Sequence, residues 1–294
     1  MIIANPIYDA VFKYLLEDAD IARELLSIII GEEIVSLTIQ PQETATESAT
    51  GSISIFRLDF KAVVRTAEGG TKKVLIELQK AKQLFDVMRF RRYLGDNYRK
   101  EDHITDEAGN TEMKPLPILT IYFLGFQLPN VKIPVLKVNR RYRDAVTQEE
   151  ISVREEFVEL LTHDSFVIQI PRLNTNLQTR LEAVLQVFNQ QYKEEEDWHK
   201  LNFLGDESDP LVAKMLARLN RAVASDELRV QMEVDDEIER IFDREVRKKL
   251  IAQEEKHHKT IEEKDKALEE RDKTIEEKNR LIEMLQKQLG NHKN

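Results

Sequence analysis

The chain contains no cysteine and few glycines. The absence of cysteine excludes disulfide bonds, thiolate zinc sites, iron–sulfur clusters and cysteine nucleophiles. With only nine glycines in 294 residues, glycine-rich phosphate-binding loops and collagen-like repeats are not expected. The sequence also lacks a P-loop, a G-x-S-x-G motif and a dinucleotide-binding fingerprint. Several common classes of enzyme are therefore excluded before any positive feature is considered.

Long hydrophobic runs are also missing. The longest apolar stretches, residues 25–30 and 116–126, fall short of the roughly 20 residues that a membrane-spanning helix needs. The N-terminus has neither the basic region nor the apolar run of a targeting segment. Hydrophobic residues make up 41% of the chain and charged residues 33%, which is sufficient for a folded core. We therefore expect a soluble, cytoplasmic protein with one large domain or two smaller ones.

Positive charge is concentrated locally, although the chain has a net charge of −10. Residues 80–100 contain seven Lys and Arg residues against two Asp residues, and a second basic group occupies residues 137–143. Because salt screens charges over about 10 Å, such stripes can bind phosphate even in an acidic protein. The alternative explanation is a solvated helix face.

Hydrophobic periodicity predicts an α/β chain. The predicted helices are residues 8–16, 21–30, 83–100, 149–162, 177–192, 211–223 and 226–255, and the predicted strands are 34–40, 55–66, 72–80, 116–125 and 166–170. A Gly-Gly turn segment joins the second and third strands, which indicates a hairpin. The strand 116–125 is apolar on both faces and is therefore expected to be buried.

Two carboxylates lie within the apolar strands of this hairpin. Asp59 and Glu77 are costly there unless they are paired or bind a metal ion. A five-residue loop would place Asp59 opposite Gln79 and Lys61 opposite Glu77, with all four on one face. A two-residue turn at Gly69-Gly70 would send Asp59 and Glu77 to opposite faces.

Carboxylates on neighbouring strands are suitable ligands for Mg²⁺, which binds one or two of them and keeps several waters. The ion would polarise a phosphate and help to generate hydroxide, while the basic helix after Lys80 would hold a nucleic-acid backbone. A structural salt-bridge patch on a half-buried sheet is the alternative for the same four side chains.

A set of short motifs occurs in one order along residues 5–173. It comprises Asp9-Ala-Val-Phe-Lys13, Arg57-Leu-Asp59, Ile76-Glu-Leu-Gln79, Arg89-Phe-Arg-Arg-Tyr93 and the buried strand 116–124. This ordered set resembles the recombination-promoting nuclease family, the transposase-like members of the PD-(D/E)XK superfamily. The resemblance implies a restriction-endonuclease-like mixed sheet flanked by helices. It also implies Mg²⁺- or Mn²⁺-dependent DNA cleavage in recombination, mobile elements or phage defence.

The resemblance implies roles for particular residues. Asp59 and Glu77 would be metal ligands and catalytic, Gln79 would be catalytic, and Asp9 and Lys13 would form the first-helix motif. The candidate DNA-binding residues are Lys80, Arg89, Arg92 and Tyr93. An ion pair between Asp9 and Lys13, and packing of Arg89 and Tyr93 under the sheet, are the structural alternatives.

Gln79 stands where the superfamily usually has lysine. Glutamine cannot bring a positive charge to a phosphate, although it can orient a water molecule. Lys61, on the same predicted face, and Lys80, next in sequence, are the candidates for the missing catalytic charge. We favour Lys61, because Lys80 points to the other face in a regular strand; an ordinary surface lysine is the alternative for Lys61.

The C-terminal segment has a seven-residue repeat. Ile261, Leu268, Ile275, Ile282 and Leu289 form one apolar stripe, whereas the companion positions are basic until Leu285. A self-associating coiled coil and a single charged helix both fit this pattern. We therefore divide the chain into a nuclease-like core (1–172), a helical extension (173–250) and a charged C-terminal helix (251–294).

Two functions remain open at this stage. One is a metal-dependent DNA endonuclease. The other is a catalytically inactive, nuclease-derived DNA-binding or assembly protein that forms a homodimer through its C-terminal helix.

Overall fold

The fold is taken from a computed structural model, which describes residues 1–39, 57–65, 71–81, 87–105, 110–174, 177–237, 240–241 and 244. Two compact units are present, Met1–Asp235 and Asp236–Asn294. The predicted C-terminal helix lies outside the described residues. No helix within the described ranges has the length and apolar character needed to cross a membrane.

The first unit is built from strands and helices that alternate irregularly along the chain. The strands are β1 (Ile2–Ala4), β2 (Ile34–Ile39), β3 (Arg57–Arg65), β4 (Thr71–Ala81), β5 (Glu101–Thr105), β6 (Thr111–Pro115), β7 (Ile118–Leu124), β8 (Val135–Val138), β9 (Tyr142–Arg143), β10 (Glu150–Ile151), β11 (Asp164–Gln169) and β12 (Lys200–Asn202). The helices are α1 (Asp9–Leu16), α2 (Ala19–Ile30), α3 (Val87–Tyr98), α4 (Glu156–Leu161), α5 (Arg180–Leu185) and α6 (Pro210–Ala222). Within the described residues, short 3₁₀ turns occupy Ile170–Arg172, Gln186–Phe188 and Gln190–Tyr192, and residues 226–237 are helical.

A six-stranded mixed sheet forms the centre of the unit, with strand order β2-β3-β4-β7-β11-β8. Strands β2, β3 and β4 pair antiparallel, β4, β7 and β11 pair parallel, and β8 pairs antiparallel with β11. The parallel strands need crossover connections, and α3 with the β5–β6 hairpin forms the connection from β4 to β7. The predicted α/β class is therefore confirmed as a mixed sheet flanked by helices.

One face of this sheet forms the main hydrophobic core. Phe60, Ile76 and Ile121 come from the three adjacent strands β3, β4 and β7, and each is fully buried. Helices α1, α2 and α6 cover this face with their apolar sides. Because side chains alternate along a strand, the residues next to these three in sequence belong to the opposite face.

Three aromatic rings meet at the middle of this core. Phe12 of α1 lies 5.1 Å from Phe123 of β7 and 5.7 Å from Phe188, measured between ring centroids. Phe123 and Phe188 are 5.2 Å apart. The tilted and edge-on arrangements are those that aromatic pairs prefer, so the cluster fastens α1 to the sheet.

The ends of α2 follow from its sequence. The Asp18 carboxylate accepts hydrogen bonds from the backbone N–H groups of Asp20 and Ile21, which caps the first turn. The helix ends where Gly31 adopts φ 77°, a left-handed conformation that favours glycine. The predicted end of this helix at Gly31 is confirmed.

Residues from the helical extension complete the same compact unit. Strand β1 pairs antiparallel with β12, and the backbone N–H of Asn5 donates to the carbonyl of His199. The backbone N–H of Asp9 also donates to the Asp235 carboxylate. Contacts of this kind join the first residues of the chain to residues near 200 and 235, within the unit Met1–Asp235.

Two predicted helices are shorter than expected. The pattern predicted a helix over residues 149–162, but β10 occupies Glu150–Ile151 and α4 begins only at Glu156. The predicted helix 177–192 is divided into α5 and two 3₁₀ turns. Leu185 is the last residue of α5, Phe188 is the last residue of the first 3₁₀ turn, and both are buried. The hairpin formed by β5 and β6 was not predicted.

We predict that Phe12→Ala lowers the free energy of unfolding by about 3–5 kcal/mol, because it leaves a cavity among the three rings. Urea denaturation monitored by circular dichroism measures this loss. Phe157→Ala is the matched control: Phe157 is 68% exposed, so we expect a change within about 0.5 kcal/mol. Equal effects of the two substitutions would contradict the assigned core.

Candidate functional site

A row of polar positions crosses four strands of the sheet. In the strand registers Asp59 pairs with Glu77, Glu77 with Thr120, and Thr120 with Ser165. The Thr120 side chain is fully buried, and its hydroxyl donates a 2.7 Å hydrogen bond to the Ser165 hydroxyl. The side chains of Asp59 and Glu77 lie outside the described residues, so their placement rests on the backbone register. We call these four positions the polar row.

The observed register differs by one residue on each strand from the predicted one. Arg65 pairs with Thr71, so residues 66–70 separate the strands, whereas the sequence analysis placed the five-residue loop one position later. Asp59 consequently lies opposite Glu77 rather than Gln79. Lys61 lies opposite Leu75 rather than Glu77. Both registers leave the Asp59 and Glu77 positions on one face, because the two shifts preserve the alternation.

Apolar clusters border the polar row on both sides. On one side, Leu75, Leu116 and Ile118 are buried against Leu94 and Tyr98 of α3. On the other side, a second cluster surrounds the buried Leu124 and is completed by Tyr122, Phe126, Leu128 and Val167. Apolar walls lower the local dielectric constant, so charged groups in such a strip interact more strongly than on an open surface.

Lys61 carries a positive charge on the same face. Its position is two residues from Asp59 along β3, which corresponds to about 7 Å between Cα atoms. The Lys61 ammonium forms a 3.2 Å ion pair with the Asp102 carboxylate of β5. Both side chains are partly withdrawn from solvent, with Lys61 31% exposed and Asp102 14% exposed. The candidate catalytic lysine therefore already has a carboxylate partner.

Gln79 and Lys80 occupy opposite faces in the register. Gln79 pairs with Arg57 and with Tyr122, which belong to the face of the polar row. Lys80 pairs with Phe123, a ring of the main core. The side chains of Gln79 and Lys80 themselves lie outside the described residues.

Helix α3 lies over the same face as the polar row, because Leu94 and Tyr98 pack on the Leu75 cluster. The candidate DNA-binding residues Arg89, Arg92 and Tyr93 fall within this helix, and their side chains are not among those described. Arg91 of the same helix is exposed. The register thus brings the basic helix and the polar row to one side of the sheet.

Asp9 and Lys13 belong to the other side. Asp9 opens α1, and Lys13 is exposed in the last turn of that helix. Helix α1 packs through Phe12 on Phe123, which is a core-face residue. The first-helix motif is therefore separated from the polar row by the sheet, and its predicted role in the site stays a prediction.

Within the second basic group, residues 137–143, Arg140 is neutralised by carboxylates of the protein. Arg140 bonds to the Asp164 carboxylate at 3.0 Å and to the Glu159 carboxylate at 2.9 Å. Burial opposes ionisation of Asp164, but the hydrogen bonds from Arg140 hold the pKa of this carboxyl below its usual value. Arg140 therefore fastens α4 to the start of β11, which favours a structural role over phosphate binding.

A histidine–tyrosine pair adjoins the Leu75 cluster and was not predicted. The Tyr98 hydroxyl lies 2.6 Å from Nδ1 of His163. Burial, and then the nearby positive charge of Arg140, lower the pKa of His163, while Asp164 raises it by less. The ring is accordingly neutral at pH 7 and can accept a hydrogen bond from Tyr98.

Sequence reasoning also missed Asp102, Thr120 and Ser165. Thr120 and Ser165 each stand in a strand with apolar neighbours, and this polar interruption was the only available signal. Asp102 carried no signal because it follows a charged stretch at the end of α3. Among the side chains that the structure describes, no group of three or more histidine, aspartate and glutamate residues is arranged to hold a metal ion.

Comparisons with known proteins do not place the chain in a family. No family model matches it, and neither the curated proteins nor the solved structures include a significant match. The assignment of the site therefore depends on the residues themselves.

We predict that His163 makes stability depend on pH near neutrality. Because the pKa of His163 is lower in the folded protein than the 6.5 of a free histidine, the unfolded chain binds the extra proton more readily. The free energy of unfolding should therefore fall as the pH drops below about 6.5.

Urea denaturation between pH 5 and pH 7.5 tests this dependence. His163→Gln should flatten the profile in this range. An unaltered profile in the His163 variant would contradict the prediction.

Proposed function

We propose that the protein is a divalent-metal-dependent DNA endonuclease of the recombination-promoting, transposase-like type. The observation that carries the proposal is the direct pairing of Asp59 with Glu77 in the centre of a mixed sheet. Directly paired residues on antiparallel strands have Cα atoms about 4.5–5.5 Å apart and share a face. Two carboxylates at such positions suit a small, hard cation.

Asp59 and Glu77 would hold Mg²⁺ or Mn²⁺, with Thr120 and Ser165 continuing the polar row beside them. The bound ion would supply charge stabilisation at the scissile phosphate and lower the pKa of a bound water. Lys61 adds a positive charge on this face, and Gln79 would orient the attacking water through its amide. This division of roles accounts for a site that has glutamine in the place of the usual lysine.

Helix α3 would contact the DNA backbone. The segment 80–100 has a local charge of +5, and the helix covers the same face as the polar row. We assign this contact to Arg89, Arg92 and Tyr93, with Arg91 available as a further cation. Lys80 is not part of this assignment, because it belongs to β4 and its register partner Phe123 is a core-face residue. Backbone contacts of this type position DNA without reading its sequence.

The fold supports the same assignment at a coarser level. A mixed sheet whose central strands carry the carboxylates, with helices on both faces, has the architecture expected of a restriction-endonuclease-like core. The proposed process is recombination, mobile-element transfer or phage defence, as the motif resemblance implies.

We predict that the purified protein nicks supercoiled plasmid DNA in Mg²⁺ or Mn²⁺ and that EDTA prevents nicking. Asp59→Ala and Glu77→Ala should each lower the rate by at least about a hundredfold, because each removes a ligand charge from the ion. Gel electrophoresis of the nicked and supercoiled forms measures the rate.

Asp226→Ala is the matched control, since it removes the same side chain from a position that is 93% exposed. Metal-dependent nicking that persists in both site variants would refute the assigned ligands. No nicking with any divalent metal would favour the inactive DNA-binding or assembly protein instead.

The heptad stripe further supports a homodimer formed through the C-terminal helix. Residues 261–289 place five apolar side chains at one of the two heptad positions that form a coiled-coil seam, and Leu285 adds one at the other. We predict that deleting residues 261–294 converts a dimer to a monomer, as measured by sedimentation equilibrium. A control deletion of residues 290–294 removes none of the five apolar residues and should leave the dimer intact. A monomeric full-length chain would refute this proposal.

A further inference from the structure

The β5–β6 hairpin places a carboxylate against the candidate catalytic lysine. Asp102 follows α3 by four residues and lies in the short antiparallel pair Glu101–Thr105 with Thr111–Pro115. Its Oδ1 is 3.2 Å from Nζ of Lys61. The connection from β4 to β7, which contains the basic helix α3, thus places the negative charge of Asp102 beside Lys61, on the face of the polar row.

The burial of this pair distinguishes it from other ion pairs on the hairpin. Asp102 is 14% exposed and Lys61 is 31% exposed, whereas Glu112 and Lys114, which form a 3.0 Å ion pair on β6, are 65% and 44% exposed. Water screens an exposed pair strongly and a partly buried one less. The Asp102 carboxylate therefore offsets more of the charge of Lys61 than an ordinary surface partner would.

Lys61 is placed to meet a phosphate. Its ammonium has three hydrogen-bond donors, and lysine is a common point-charge ligand for phosphate. A phosphate held over the Asp59 and Glu77 positions would lie near a lysine that is one strand step away. Such a phosphate and the Asp102 carboxylate are both anions, so they compete for the same ammonium group.

We propose that Asp102 is an electrostatic gate for Lys61. In the free protein the carboxylate holds and neutralises the lysine, and a DNA phosphate replaces it as the partner of Lys61 when substrate is bound. Asp102 is thus a positioning residue that acts on the site through Lys61. This inference rests on the proposed DNA endonuclease function and adds a regulatory element to that site.

The location of Asp102 links the gate to DNA binding. Tyr98 at the end of α3 packs on the Leu75 cluster, and Leu75 is the register partner of Lys61. A DNA backbone that contacts α3 acts on the helix whose end leads directly into β5. Release of Lys61 would therefore accompany engagement of the helix, and the lysine would stay neutralised when no DNA is bound.

The test uses the full-length protein, a fluorescein-labelled 30-base-pair duplex and EDTA, so that binding is measured without cleavage. Fluorescence anisotropy should show roughly three- to tenfold tighter binding for Asp102→Asn than for the wild type at low salt, because one more lysine is available for phosphate. The slope of log affinity against log salt should steepen by about one. The double variant Asp102→Asn/Lys61→Gln should lose this gain.

The matched control is Glu112→Gln. This substitution removes one negative charge, the ion-pair partner of Lys114, from the same hairpin and does not alter either residue of the Lys61–Asp102 pair. If Glu112→Gln bound DNA as tightly as Asp102→Asn, the proposal would be overturned, because the loss of any negative charge from the hairpin would then explain both results. A gain that persists in the double variant would also overturn it.

A second measurement does not depend on DNA. Acetylation by acetic anhydride, followed by peptide mass spectrometry, should label Lys61 severalfold faster in Asp102→Asn than in the wild type, with the exposed Lys132 as the internal reference. Equal rates would overturn the gate even if the protein cleaves DNA. Faster labelling in a protein that never binds or cleaves DNA would instead refute the endonuclease function and, with it, the delivery of Lys61 to phosphate.

Asp102→Thr provides a second variant if Asp102→Asn unfolds, because threonine suits a strand position better than asparagine. It should give the same direction of change in affinity and in labelling, and a thermal melt of each variant checks that the fold is retained. Weaker DNA binding by folded variants of both kinds would contradict the gate.

Discussion

The alternation of side chains in β3, β4 and β7 is the constraint on which the rest of the structure depends. Phe60, Ile76 and Ile121 are fully buried beneath the helices, and each contributes about 1.5–3 kcal/mol of hydrophobic stabilisation. A slip of one residue in any of these strands would expose its core residue and bury its polar neighbour. The core therefore determines that the Asp59, Glu77 and Thr120 positions share the opposite face, independently of any function that they have.

Some parts of this arrangement were accessible from the sequence and others were not. The β3–β4 hairpin, the buried strand β7 and the end of α2 at Gly31 were predicted correctly, because apolar runs and a Gly-Gly turn mark them locally. The register was wrong by one residue on each strand, since neither Thr66 nor Thr71 shows which residue begins the turn. Pairing of β1 with β12 joins three-residue strands about 200 positions apart, which no local pattern can indicate.

The candidate site shows the same division between local and long-range information. Asp59 and Glu77 were identified because carboxylates within apolar strands are costly, and this cost is visible in a single sequence. Asp102 was missed because its importance comes from Lys61, a residue 41 positions earlier that only the folded chain brings to within 3.2 Å. Thr120 and Ser165 likewise became part of the site only through the parallel pairing of β7 with β11. Residues defined by their own chemistry were found, whereas residues defined by a partner were not.

The proposed function requires an acidic chain to keep its positive charges local, and the ion pairs of Arg140 and Lys61 bear on this requirement. Arg140 is neutralised by Asp164 and Glu159 at the start of β11, so this arginine contributes little to an external field. Helix α3, which belongs to the basic segment 80–100, packs through Leu94 and Tyr98 on the face of the polar row. On that face a free Lys61 would attract anions at all times, whereas a lysine held by Asp102 responds only to an anion strong enough to displace a carboxylate. Under the proposed gate the ion pair would therefore favour phosphate over the weaker anions of the solvent, which is the selectivity that the proposed site, with glutamine at position 79, would need from Lys61.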